Sequence, residues 1–313
     1  MENAPYYDEI AEGPEGATAY WARTSDGVRI RLGLWPTQAK SPTGTILLLP
    51  GRTEYIEKYG RTGADFAGLG YTTLTLDWRG QGLSDRACEN PLVGHVRDYA
   101  EYQLDIAAMV DAAKALDLPR PYFLVSHSMG GCIALRALHQ GLDVKAAVFS
   151  APMWGISMAP ALRPFAWASS WASHTFGKGC GLAPGTSPET YVKNQAFDDN
   201  ELTTDPEMYA YLQRQAQLQP DLTLAGPSMS WLYTSLVETR ALARLPAPPV
   251  KTLTFLGTHE RIVQPGPVHA LMARWNDGEL AMIEGAEHEM LMEQTKTRAE
   301  VNARLHALFS EAS

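Results

Sequence analysis

Apolar residues gather along this chain in short unbroken runs, each closed by a polar or turn-forming residue. Six of them, Thr45–Leu49, Tyr71–Leu76, Tyr122–Val125, Ala146–Phe149, Thr252–Leu256 and Leu280–Ile283, have the length and composition of strands buried on both faces of a parallel sheet. Ahead of them, Thr18–Arg23 and Val28–Trp35 flank Asp26-Gly27, a hairpin signal. Between the runs lie helical patterns. Tyr99–Leu116 carries Tyr102, Ile106, Met109, Val110 and Ala113 at helical spacing, Met129–Gln140 closes at Gly141, and Ala299–Phe309 lies near the C-terminus. A hairpin followed by alternating strands and helices predicts an α/β fold, a mostly parallel sheet with helices on both faces. Ligands of such sheets bind beyond the carboxyl ends of the strands, so chemistry is to be sought just after each run.

The alternation breaks between Met153 and Leu245. No strand run is clear there, and the stretch holds Trp154, Trp167, Trp171 and Trp231 of the chain's 8 tryptophans. The simplest reading is a helical cap, residues 153–245, inserted into a core made of residues 1–152 and 246–313. Charge divides the insert. No Asp or Glu occurs from Val144 to Pro188, whereas 189–245 is acid-rich.

With 313 residues and a net charge of −9, the chain can bury a substantial core and lacks the basic balance of a nucleic-acid binder. Cys88, Cys132 and Cys180 are too few and too scattered for a disulfide framework or a zinc site, which fits a reducing compartment. The acidic N-terminus has no apolar signal-peptide core, and no run of 18 apolar residues exists, so a cytoplasmic protein is expected. No metal or organic cofactor is implied, and oligomeric state is not addressed by the sequence.

The most informative segment is Phe123-Leu-Val-Ser-His-Ser128-Met-Gly-Gly131. A buried strand ends, a helix of small residues begins, and Ser128 sits on the turn. A serine there projects its hydroxyl above the sheet, close to a helix N-terminus that favours negative charge. Small residues are required two before and two after it; Ser126 and Gly130 fill these places, where the usual motif has two glycines. A nucleophilic serine needs a base and a carboxylate to orient that base. His288, in the loop after the last strand run, is the candidate base, and Glu260, after Thr252–Leu256, the candidate acid. His127 should point to the opposite side of its strand. Glu287 and Glu289 flank His288 too closely to orient its ring. The backbone N–H groups of Met129 and Arg52 are the candidate oxyanion donors, Gly51 letting the chain bend tightly before Arg52.

Two further segments, Pro50-Gly-Arg-Thr-Glu-Tyr-Ile-Glu-Lys-Tyr59 and Asp77-Trp-Arg-Gly-Gln-Gly-Leu-Ser84, complete a resemblance. The chain resembles α/β-hydrolases of the lysophospholipase and monoacylglycerol lipase group over nearly its whole length outside the insert. Members often have His-Gly where this chain has Pro50-Gly51, and aspartate where it has Glu260. The resemblance implies carboxylic ester hydrolysis of a monoacyl lipid, lysophospholipid or monoacylglycerol, through an acyl-enzyme, with no cofactor. The aromatic, acid-free part of the insert would then form an acyl tunnel and a lip able to touch a membrane transiently, with Trp154, Phe165, Trp167 and Trp171 as candidate substrate-binding residues. The alternatives are a carboxylesterase on small non-lipid esters, a C–C bond hydrolase, and a non-catalytic ligand-binding protein of the same fold. Dehalogenases and epoxide hydrolases of this fold place aspartate where Ser128 stands.

Overall fold

The computed structural model describes residues 1–312, the side chain of Asn194 excepted. Every run above is a strand, its ends moved by at most two residues. The strands are β1 (Glu2–Asn3), β2 (Thr18–Arg23), β3 (Arg29–Trp35), β4 (Gly44–Leu49), β5 (Tyr71–Asp77), β6 (Tyr122–His127), β7 (Ala146–Ser150), β8 (Lys251–Gly257) and β9 (Gly278–Ile283). They form one sheet in the order β1-β2-β3-β5-β4-β6-β7-β8-β9. The β1–β2, β2–β3 and β3–β5 pairs are antiparallel, and every pair from β5 to β9 is parallel. Strands β4 to β7 are buried along their whole length, as unbroken apolar runs require.

Alternation within each strand feeds two cores. Leu47, Leu49, Leu124 and Phe149 face one side, with α3 (Glu101–Ala115), α4 (Met129–His139) and α9 (Pro265–Met272) packed there. Ile46, Leu48, Phe123, Val125 and Val148 face the other, against α2 (Gly60–Gly68) and α10 (Thr295–Ala312). The short helix α1 (Asp8–Ala11) lies near the start of the chain. Helix α2 is absent from the sequence pattern because its glycines answer to tertiary contacts: a Cβ on Gly60 would lie 1.9 Å from the Ala11 carbonyl oxygen, and one on Gly63 would lie 2.6 Å from the Trp35 ring.

No strand of the sheet comes from the chain between β7 and β8. It carries α5 (Arg163–Thr175), α6 (Tyr191–Asn194), α7 (Pro206–Leu218) and α8 (Met229–Leu242). Asp205 caps α7 by accepting from the Glu207 and Met208 amides, and Ser228 caps α8 by accepting from Trp231. Helices α7 and α8 tie the segment down. Tyr211 donates to the Glu57 carbonyl at 2.9 Å, and Arg136 of α4 pairs with Glu238 of α8 at 2.7 Å.

The cysteine reading needs correction. Cys88 and Cys180, 92 residues apart, form a disulfide that joins the loop after β5 to the helical segment, leaving Cys132 as a buried free thiol. The pairing is made by the tertiary fold, to which residue count and spacing are blind, and it removes the cysteine argument for a reducing compartment. No helix among the described residues is long and apolar enough to cross a membrane.

Candidate active site

The loops after β4, β6, β8 and β9 lie at one edge of the sheet. After β6, Ser128 adopts φ 49° and ψ −118°, a conformation outside the ordinary regions for a residue with a Cβ. Three hydrogen bonds hold it: its amide donates to Ser150 O at 3.0 Å, and its carbonyl accepts from Gly131 and Met153, each at 2.9 Å. Helix α4 starts at the next residue, so the serine sits at a helix N-terminus. The need for Gly130 is steric, since a Cβ there would lie 2.2 Å from Leu49 O and 2.4 Å from Pro50 O. Ser126, in the other small-residue position, is fully buried.

Glu260 lies just beyond β8. Its Oε1 accepts the amides of Ile262 at 2.7 Å and Val263 at 2.8 Å, which turns Oε2 toward Nδ1 of His288, 2.7 Å away. The two side chains are only 1% and 4% exposed. Burial works to protonate Glu260, but the His288 contact and the two amides outweigh it and hold the carboxyl below its usual range. An Nδ1 engaged in this way leaves Nε2 as the working nitrogen. Glu287 and Glu289 do not take this role; Glu287 faces Arg261. The loop carrying His288 is braced by the helical segment, with the Glu289 amide donating to Leu202 O at 2.8 Å.

The loop after β4 is held on both sides of Arg52. The Gly51 amide donates to Glu54 Oε2, and the Thr53 amide to Gln81 Oε1 at 3.1 Å. Trp78 and Gln81 donate to the carbonyls of Pro50 and Gly51 at 2.8 and 3.0 Å, so the Asp77–Ser84 loop buttresses this turn. Among the described residues no acceptor takes the amide of Arg52 or of Met129. The Arg52 side chain, which no local sequence signal marks, also enters the site. Nη1 donates to Ala225 O at 3.1 Å and the guanidinium lies 5.5 Å from the Trp231 ring. No carboxylate among the described residues pairs with it, and burial pulls its pKa down to about 10.

Ser128, His288 and Arg52 line one cavity of about 340 Å³. Its apolar walls come from Met153 and Ile156, from Val192, Leu202, Leu212 and Trp231 of the helical segment, and from Ile262 and Val263. The aromatic residues expected there lie elsewhere. Trp154 is buried behind the site, donating to Gly131 O at 3.1 Å and stacking on Trp275. Trp167 packs edge-on against Tyr233. Phe165 and Trp171 face solvent, 61% and 50% exposed. A count of tryptophans finds the helical segment, but which of its faces turns inward is decided by how α5 and α8 pack. The acid-rich part supplies most of the segment's share of the wall.

A strand-to-helix turn bearing a strained serine, with an acid–histidine pair delivered by later loops of the same sheet edge, defines the α/β-hydrolase class. Residues 40–295 match the serine aminopeptidase S33 family, and the chain belongs to it. The chain is 27% identical over 264 residues to a probable lysophospholipase L2 of Haemophilus influenzae, covering 82% of this chain and 80% of that one. It is 28% identical over 272 residues to a monoacylglycerol lipase of Mycolicibacterium smegmatis, covering 85% and 88%. In fold it is similar to a soluble variant of monoglyceride lipase from Saccharomyces cerevisiae, with a TM-score of 0.73, 19% identity and coverage of 93% and 94%. These relatives bear out the resemblance read from the motifs.

Proposed function

We propose that the protein is a serine hydrolase that cleaves the carboxylic ester of monoacyl lipids, with lysophospholipids favoured among them. Ser128 attacks the ester carbonyl while His288 takes its proton, and Glu260 holds His288 in the required tautomer and stabilises its charged form. The amides of Met129 and Arg52 receive the developing oxyanion. His288 then protonates the departing alcohol, and activates the water that releases the fatty acid from Ser128. In this reading residues 153–245 act as a cap whose inner face shelters the acyl chain.

The observation that carries the substrate class is the cavity lining. It pairs apolar walls, suited to one acyl chain, with a charged side on which Lys58 is held by Glu54 and Glu289 while Arg52 has no carboxylate partner. A desolvated guanidinium offering unused donors favours a substrate that brings an anion, and the phosphodiester of a lysophospholipid does so where a monoacylglycerol does not. The family relationship and the relatives named above support the ester chemistry.

The test is a kcat/KM panel over acyl lengths from acetate to palmitate, with lysophospholipid and monoacylglycerol compared at equal chain length. The expected profile rises toward long chains, and Arg52→Gln lowers the lysophospholipid-to-monoacylglycerol ratio about tenfold, as loss of one charge-assisted contact does. A maximum at acetate or butyrate would overturn the lipid assignment. An unchanged ratio would overturn the headgroup role of Arg52.

A further inference from the structure

Three catalytic segments end on one buried charge cluster that the mechanism above does not use. Lys58 lies on the single helical turn Ile56–Tyr59 and donates to Glu54 Oε1 at 2.5 Å and to Glu289 Oε1 at 2.6 Å. Glu54 Oε2 accepts from the Tyr59 hydroxyl at 2.6 Å and from the Gly51 amide. His127 completes the cluster, its Nε2 3.5 Å from Glu54 Oε1 and 3.3 Å from Glu289 Oε2. Its other nitrogen, Nδ1, stands 3.1 Å from Ser150 O and 3.2 Å from Ser150 Oγ. Lys58, Glu54, Glu289 and His127 are all buried. Each segment involved is catalytic: His127 precedes Ser128, Glu289 follows His288, and Gly51 and Glu54 bracket the Arg52 turn.

The geometry decides the protonation state of His127. A carbonyl oxygen only accepts, so Nδ1 carries hydrogen toward Ser150. Carboxylate oxygens also only accept, and a lone pair on Nε2 would be repelled by both, so Nε2 carries hydrogen too. The two carboxylates meet that nitrogen at ion-pair rather than hydrogen-bond geometry. With His127 charged, two cations balance two anions in a buried cluster that borders the cavity through Glu54, Lys58 and Glu289, the condition under which buried charge is tolerated.

We propose that His127 is a positioning residue for catalysis: held between Glu54 and Glu289, it acts through ring contact with His288 to set the pH range over which His288 is a competent base. The proposal rests on the reading of Ser128 and His288 as nucleophile and base. The two imidazole rings are 4.6 Å apart, centre to centre. At that distance a charge on His127 repels the charge that His288 acquires while it holds the serine proton, which makes that proton easier to pass to the departing alcohol. The groups facing His127 from every packed element are Glu54, Lys58, Glu289, His288 and Ser150. Burial alone would strip its proton, but Glu289 and then Glu54 outweigh burial and the opposing Lys58, so its pKa lies above the ordinary range.

Two measurements test this. In the wild-type enzyme, 15N NMR of labelled imidazoles needs no turnover, so its outcome is separate from the success or failure of the hydrolase reading. One of the 8 histidines is expected to keep both nitrogens protonated above the pH at which the others lose theirs, and its signal to be missing from His127→Gln. If no histidine does so, or if that signal survives in His127→Gln, the proposal is overturned. The second readout is the acid limb of kcat/KM. His127→Gln removes a positive charge beside the base and is expected to move the limb up by about 1–2 pH units; Glu289→Gln removes a negative one and is expected to move it down by a similar amount. A purely structural cluster would lower kcat in both variants and leave both limbs in place, or move them in the same direction, and either result would overturn the proposal. If a variant does not fold, the wild-type NMR result decides.

Discussion

Adjacent residues of one helical turn belong to two different buried ion networks. Glu57 joins the first. Arg31 of β3, fully buried, meets Glu57 with Nη1 and Nη2 at 2.9 and 2.7 Å and Asp77 with Nε at 2.7 Å. Asp77 also accepts the amides of Ile56 and Leu83, each at 2.8 Å. Lys58 joins the second, the Glu54–His127–Glu289 cluster. Both networks are buried and both cost desolvation. They differ in what they fasten. The Arg31 network ties β3 and the end of β5 to the turn, and none of its members adjoins a catalytic residue. The Lys58 cluster ties together the chain neighbours of the proposed nucleophile, base and oxyanion donor. A buried ion pair is therefore better understood from the segments it joins than from its depth.

Substitution should separate the two. The largest effect on the fold is expected from Arg31→Met, which leaves Glu57 and Asp77 buried with no counter-charge. Urea unfolding should show a loss of about 3–5 kcal/mol, while the acid limb of kcat/KM stays where it is in the wild type. A limb that moves would erase the distinction between the networks. The His127→Gln and Glu289→Gln pair should do the reverse, moving the limb in opposite directions. The smallest effect is expected at the half-exposed end of a third network, where buried Arg79 also pairs with buried Asp105. Asp26 accepts from Arg79 at 2.8 Å with its side chain 38% exposed, and that contact lowers its pKa to about 2 despite some burial. A depressed carboxylate contributes stability above its unfolded pKa and loses it as pH falls through the folded value. Asp26→Asn should therefore flatten the stability profile only between about pH 4 and pH 2, and solvent screening keeps the change under about 1 kcal/mol. An effect of that size persisting unchanged at pH 2 would contradict this.

The sheet and the polar site residues were legible in the sequence because each is announced locally. Strands β4 to β7 are buried on both faces, so their apolar runs are unbroken, and Ser128, Glu260 and His288 each follow a run within a few residues. What escaped notice depends on distant packing. Helix α2 carries glycines for close contacts with Ala11 and Trp35, and its three glycines and single large apolar residue, Phe66, give no long apolar face to read. Cys88 and Cys180 pair across the fold. Alternation predicts that His127 points to the opposite side of its strand from Ser128, yet its ring lies 4.6 Å from that of His288 and close to Glu54 and Glu289, which come with His288 from two other loops. The helical segment shows the same limit. Its aromatic content marks where the segment lies, while Trp231 alone of the four tryptophans reaches the cavity, because the packing of α8 decides it.

The most direct test of the central claim is covalent capture of the nucleophile. Wild-type protein and Ser128→Ala are treated with a fluorophosphonate, and the adduct is located by mass spectrometry of peptides. The account predicts one phosphonyl group on Ser128 in the wild type, none on Ser128→Ala, and loss of monoacyl ester hydrolysis in step with labelling. An unlabelled wild type, or an adduct that survives in Ser128→Ala, would contradict it.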